Sequence, residues 1–175
     1  MVVKLGKLSA TLAGISFLLV SCLSAAGAGE TLPQPTGRVI LTITGDISRT
    51  NNGDKAEFDL EMLHALGTRA LSVTTSWTDG TQEFSGVLMR DLMAAVGAKG
   101  TMVEAEALND YTYAIEIKDF SLYPVILATK LNGNILKIRD KGPLWIVYPL
   151  DTFTIEQKDK IERRMVWQLR QLTVR

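Results

Sequence analysis

The sequence holds one cysteine, Cys22, and one histidine, His64, among 175 residues. A metal centre built from histidine and cysteine needs three or four such ligands, so that class of site is excluded by count. Hydrolysis through a serine, histidine and aspartate set would need a serine framed beside His64, and no G-x-S-x-G or comparable frame surrounds one. With no second histidine to pair with, His64 is expected as a solvated residue on a helix face. An excess of one charge is also missing, since 19 basic residues balance 19 acidic ones. That balance argues against a nucleic-acid binder, which would show a basic face. No haem or iron–sulfur motif is present, so any electron transfer would need a separate partner.

The only long apolar run lies near the start. Lys4 and Lys7 precede an apolar stretch over residues 8–23 that is short for a membrane span, and Ala26-Gly27-Ala28 supplies the small residues a signal peptidase needs. These features predict a signal peptide over residues 1–28 and export to the periplasm, with no transmembrane segment after processing. A second route competes: Leu19-Val20-Ser21-Cys22 resembles a bacterial lipobox, which would leave the protein lipid-anchored through Cys22. Cleavage after Ala28 is the preferred reading. It would leave a cysteine-free mature domain with 17 basic residues against 19 acidic ones. A chain of that length suits one domain with a core large enough to need no staples.

Residues 29–37 carry Pro33 and Pro35 without periodicity and predict a flexible leader, followed by one domain over residues 38–175. Alternation predicts strands over residues 38–44, 70–76, 102–108, 111–117, 125–131, 135–138 and 166–174. Another lies within residues 141–149, where Gly142-Pro143 opens a short apolar run and Pro149 closes it. Asn132-Gly133 is a hairpin turn signal. Helical spacing predicts helices over residues 58–66, stopped by Gly67, and 89–96, stopped by Gly97. The polar segment 152–164 reads as partly helical. Glu104 and Glu106 project from one side of their strand and read as a solvated face rather than a catalytic carboxylate pair. About eight strands and two or three short helices make an α+β fold with a dominant sheet component.

The order of four stretches adds a family reading. Phe84-Ser85-Gly86-Val87-Leu88-Met89-Arg90-Asp91-Leu92 resembles the "F-x-G-V-x-L-x-D-L-L" segment of the molybdopterin-binding domain of the sulfite oxidase family. Asn109-Asp110-Tyr111 matches the position of its "D-G-Y" turn, residues 125–133 resemble its "L-A-…-N-G" hairpin, and residues 141–149 resemble its "G-G-P-L-R-L-V-x-P" strand. "N-D-Y", "G-P-L-W-x-x-Y-P" and a final "W-Q-L-R" are most similar to a shorter exported bacterial subgroup. The resemblance implies a sulfite-oxidase-type molybdopterin-binding fold, with mixed layered sheets and a few short helices. In the enzymes that fold holds molybdenum on a pterin dithiolene.

Three departures bear on that cofactor. The enzymes ligate molybdenum through a cysteine thiolate that would fall near residues 73–76, where this chain has Val73-Thr74-Thr75-Ser76. A hydroxyl is a poor substitute for a soft thiolate. The arginine of "G-P-L-R" is Trp145 here, and the "Y-G-x-K" lysine is absent after Pro149, with Lys158 or Lys160 as distant substitutes. Together they predict a retained fold with the redox chemistry lost. The protein would be an exported binding or sensing module for a small ligand or for an exported or membrane protein. Its cleft would draw on Trp77, Asn109, Asp110, Tyr111, Trp145 and Tyr148, although strand periodicity favours core over pocket for Trp145 and Tyr148. The alternative is an oxidoreductase binding the molybdenum cofactor without a cysteine. Thr74, Thr75 or Ser76 would then face the metal, and Arg139, Lys141, Arg163, Arg164 or Arg170 would hold the phosphate.

Overall fold

The structure is a computed structural model that describes Met1 and residues 31–175. The expected signal peptide and the lipobox at Cys22 lie outside the described residues. In chain order the elements begin with β1 (Leu41–Gly45), β2 (Ala56–Phe58), α1 (Leu60–Ala65), β3 (Arg69–Thr74), β4 (Thr81–Leu88) and α2 (Met89–Val96). There follow β5 (Met102–Ala107), β6 (Thr112–Glu116), α3 (Lys118–Leu122), β7 (Ile126–Leu131) and β8 (Asn134–Ile135). The last elements are β9 (Trp145–Val147), α4 (Ile155–Glu162) and β10 (Leu169–Val174), with 3-10 turns at Ile138–Asp140 and Leu150–Thr152.

The strands form two sheets. The first runs β2-β1-β10-β5-β6, and the second β3-β4-β7-β8, with β9 also paired to β7. Only β1 and β10 run parallel; the other pairs are antiparallel. Leu41, Ile43, Val103, Ala105, Leu172 and Val174 of the first sheet are buried, as are Phe84, Val87, Ile126, Leu127, Trp145 and Val147 of the second. This is the α+β architecture that the sequence predicts.

Local chemistry explains most boundaries. Asp59 ends the strand that precedes α1 and caps the helix: its Oδ1 accepts the Met62 N–H at 2.9 Å, while Oδ2 accepts the Thr36 and Gly37 N–H groups at 2.8 and 2.7 Å. These backbone donors hold the Asp59 carboxyl below its ordinary range. They also correct the flexible leader expected over residues 29–37, because from Leu32 onward that stretch is tied to the body. Leu32 N–H donates to Thr50 O at 3.2 Å, and Pro33 O accepts from Asn51 Nδ2 at 2.7 Å.

Several elements differ from their sequence expectation. Phe58 belongs to β2 rather than to the following helix, so α1 starts at Leu60. Residues 81–88, where no strand is predicted, form the eight-residue strand β4. His64 is half-buried rather than solvated, since its Nε2 lies 3.0 Å from Oγ1 of the buried Thr129. The expected return strand over 135–138 stops at Ile135 and passes into the 3-10 turn. Gln168 takes φ 52°, and the register shifts between Leu169 and Gln171. That irregularity lets Leu169, Leu172 and Val174 all be buried, where uninterrupted alternation would put Leu169 opposite the other two. At Gly86 a Cβ would lie 1.9 Å from Leu127 O, so the glycine lets β4 and β7 approach.

Candidate functional site

The strand end at Thr74 and the loop that follows carry the residues with which a cofactor reading must contend. Thr74 is exposed and its Oγ1 lies 3.0 Å from Oγ1 of Thr81 on the neighbouring strand. Thr75 points inward, with its Oγ1 2.9 Å from Thr78 Oγ1 and accepting the Trp77 N–H at 3.2 Å. Ser76 donates twice to one side chain: its N–H to Glu162 Oε1 at 2.8 Å and its hydroxyl to Oε2 at 2.8 Å. Glu162 is the last residue of α4, a helix set by Thr154 and Gln157 in a reciprocal capping box.

Next to this clamp lies a cavity of about 230 Å³ lined by Trp77, Asn109, Tyr111, Glu162, Arg163 and Trp167, with Met165 and Val166 also contributing. Asn109 and Tyr111 come from the β5–β6 turn, where Asn109 Oδ1 accepts the Tyr111 N–H at 3.3 Å. The Tyr111 hydroxyl donates to Arg163 O at 3.3 Å, which ties this turn to the segment after α4. The walls are aromatic, with an amide, a carboxylate and a guanidinium at hand, a lining suited to a small planar ligand.

Trp145 stands one layer behind. It is fully buried, meets Phe84 edge to face at 5.1 Å and Trp77 at 6.1 Å, and donates its Nε1–H to Met165 O at 3.1 Å. Lys141 donates from Nζ to Trp77 O at 3.4 Å, and the ammonium sits 5.8 Å from the centroid of the Trp145 ring. Tyr148 is likewise core: its hydroxyl donates to Asp119 Oδ2 at 2.9 Å, and Arg164 pairs with the same oxygen.

Of the residues singled out from the sequence, the structure gathers Trp77, Asn109 and Tyr111 on the cavity wall and sets Thr75, Lys141 and Trp145 directly behind it. Three others face elsewhere. Thr74 pairs across its sheet, Asp110 holds Arg170 at 2.8 Å on the outer side of its turn, and Arg139 is exposed beside Asp140. Arg170 also pairs with Glu106, and Arg175 with Glu104 at 3.0 Å, so both carboxylates on β5 are committed to ion pairs. Lys158 pairs with Asp151 at 3.6 Å, and Lys160 borders a different cavity with Tyr123 and Phe153. The reading from sequence missed Glu162 and Trp167. Trp167 lay in view in the "W-Q-L-R" stretch, whereas Glu162 carried no signal, being one acid in a charged segment. Among the described residues no cluster of three or more histidine, cysteine, aspartate or glutamate side chains is placed to hold a metal ion.

Residues 53–170, about two thirds of the chain, match the family described as oxidoreductase molybdopterin binding domain. Among solved structures, the sulfane dehydrogenase SoxCD from Paracoccus pantotrophus is similar with a TM-score of 0.54 and 18% sequence identity. The match covers 77% of this chain and 37% of that one, so the chain spans well under half of the solved chain it matches, and the likeness is one of fold. No curated protein matches the sequence.

Proposed function

Because the chain belongs to the oxidoreductase molybdopterin binding domain family, we propose that it works as an exported, periplasmic binding or sensing module on that fold, without redox activity of its own. The observation that carries this reading is the double hydrogen bond from Ser76 to Glu162. It lies in the stretch where the family's enzymes present a cysteine thiolate. Here the hydroxyl of Ser76 is already committed, and the group it meets is a carboxylate. A phosphate-bearing, anionic dithiolene cofactor would meet like charge there and no soft ligand.

Two neighbours support the same reading. The position of the family's cofactor-contacting arginine is filled by the buried Trp145, and Arg139 is exposed beside Asp140 rather than directed to the cavity. The residues present do not fit the molybdopterin group. They do suit a small, flat ligand stacked among Trp77, Tyr111 and Trp167 and oriented by Asn109, Glu162 and Arg163. Among the described residues no helix is long and apolar enough to cross a membrane.

The deciding experiment is the molybdenum and pterin content of protein purified without stripping from cells that make the cofactor. Metal far below one per chain is expected. Near-stoichiometric metal with an oxidisable pterin would overturn the proposal in favour of a cysteine-independent oxidoreductase with a separate electron partner. The mass of the exported chain checks the compartment: an N-terminus after Ala28 is expected, and a lipidated Cys22 would mark the competing route.

A further inference from the structure

A second, larger cavity lies elsewhere. It measures about 640 Å³ and shares no lining residue with the 230 Å³ aromatic cavity. Leu41, Leu136 and Leu169, all buried, form part of its lining. Val39, Leu108 and Ile138 also line it, and these are 38%, 40% and 49% exposed. Three of the few large apolar side chains left in contact with water therefore surround one concavity, where isolated exposed residues would need no explanation.

Its charged lining is of one sign. Arg38, Lys137 and Arg170 contribute cations, and no carboxylate lines it. Arg170 is neutralised by Glu106 and Asp110, but Arg38 and Lys137 make no ion pair among the described residues. The volume lies within the usual span of small-molecule sites, roughly 300–1,000 Å³. An apolar lining with two unpaired cations favours a ligand with a hydrocarbon body and one anionic end, since an uncharged apolar ligand would leave the cations unused and a compact anion would leave the lining wet.

We infer that the cavity between β1, the start of β10 and residues 136–138 is a binding site for a small amphiphilic anion, its apolar body against Leu41, Leu108 and Ile138 and its carboxylate or phosphate on Arg38 and Lys137. This site is independent of the aromatic cavity, so either proposal can fail alone.

The test is calorimetric titration of the purified protein with decanoate below its aggregation concentration, with decanol as the uncharged control. Saturable decanoate binding is expected, with decanol weaker by about tenfold or more and the decanoate affinity falling as salt rises. The double variant Arg38→Gln with Lys137→Gln should weaken decanoate binding about tenfold, and Ile138→Asp should weaken it similarly. These three side chains are exposed, so circular dichroism and the melting curve should stay as in the unsubstituted protein. Equal binding of decanol, no binding of decanoate, or variants that bind as the parent does would each overturn the assignment. Binding to phosphatidylglycerol vesicles without binding of free decanoate would overturn it too, by making the groove a membrane contact.

Discussion

Ser76 hangs from Glu162 by two hydrogen bonds of 2.8 Å, although 86 positions separate the two residues. One bond uses the backbone N–H and survives replacement of the serine side chain; the other does not. Glu162→Ala should therefore destabilise the protein by about 1 kcal/mol, and Ser76→Ala by about half of that. Urea denaturation of the two variants checks the ratio. Equal losses, or none, would mean that the contact does not order the loop.

The approach of β4 to β7 gives a second prediction. Gly86→Ala would place a methyl group 1.9 Å from Leu127 O and 2.7 Å from Ala128 Cα, both backbone atoms that cannot step aside alone. A loss of about 3 kcal/mol is expected. Gly53→Ala makes the contrast: nothing lies within 4 Å there, and only the positive φ of 60° resists, at about 1 kcal/mol. Melting curves of the pair separate a steric demand from a conformational one.

At position 145 the tryptophan is enclosed by Phe84, Trp77 and Met165. Trp145→Ala should cost about 3–5 kcal/mol. Trp145→Arg, the residue type that the family resemblance implies there, should be as damaging, because it buries a guanidinium against Phe84 and Trp77. Soluble yield and melting temperature of the arginine variant report directly on whether that position still tolerates a cofactor-binding charge.

Alkaline titration tests the Tyr148–Asp119–Arg164 contact. Burial first, and then the adjacent Asp119 carboxylate, push the Tyr148 phenol well above its ordinary value of 10.0. A group whose folded-state pKa is raised contributes stability that is whole below the unfolded value and is lost as pH climbs past it. Stability should fall above about pH 10, and Tyr148→Phe should flatten that fall. Phenolate absorbance should show one of the four tyrosines silent until the protein unfolds.

How much of this was legible depended on length and on locality. The helix over 89–96 and the hairpin at Asn132-Gly133 announce themselves through nearby residues, an αL glycine at Gly97 and two consecutive positive φ angles of 48° and 76°. β2 has three residues and α3 has five, too few for any period to show. β4 was obscured because its polar first half and apolar second half suit different readings, and only its pairing with both β3 and β7 unites them. The phase change in β10 comes from an irregularity that exists only against β5. At the site, Trp77, Asn109 and Tyr111 stood out by residue type, while Glu162 acquires its role from a loop far away in sequence. The larger cavity was invisible for the same reason, since Val39, Leu108, Leu136 and Leu169 come from separate segments.

The strand order β2-β1-β10-β5-β6 places β10, far from the other four in sequence, in the middle of the first sheet. Its Thr173 hydroxyl lies 3.2 Å from that of Thr44, across 129 positions. On the ribosome, the β1–β2 pair and the β5–β6 hairpin would emerge as separate ribbons, each with an open edge that only β10 can fill. Closure of the sheet thus waits on synthesis of β10. Until then the nascent chain offers chaperones two unfinished edges in place of a closed sheet.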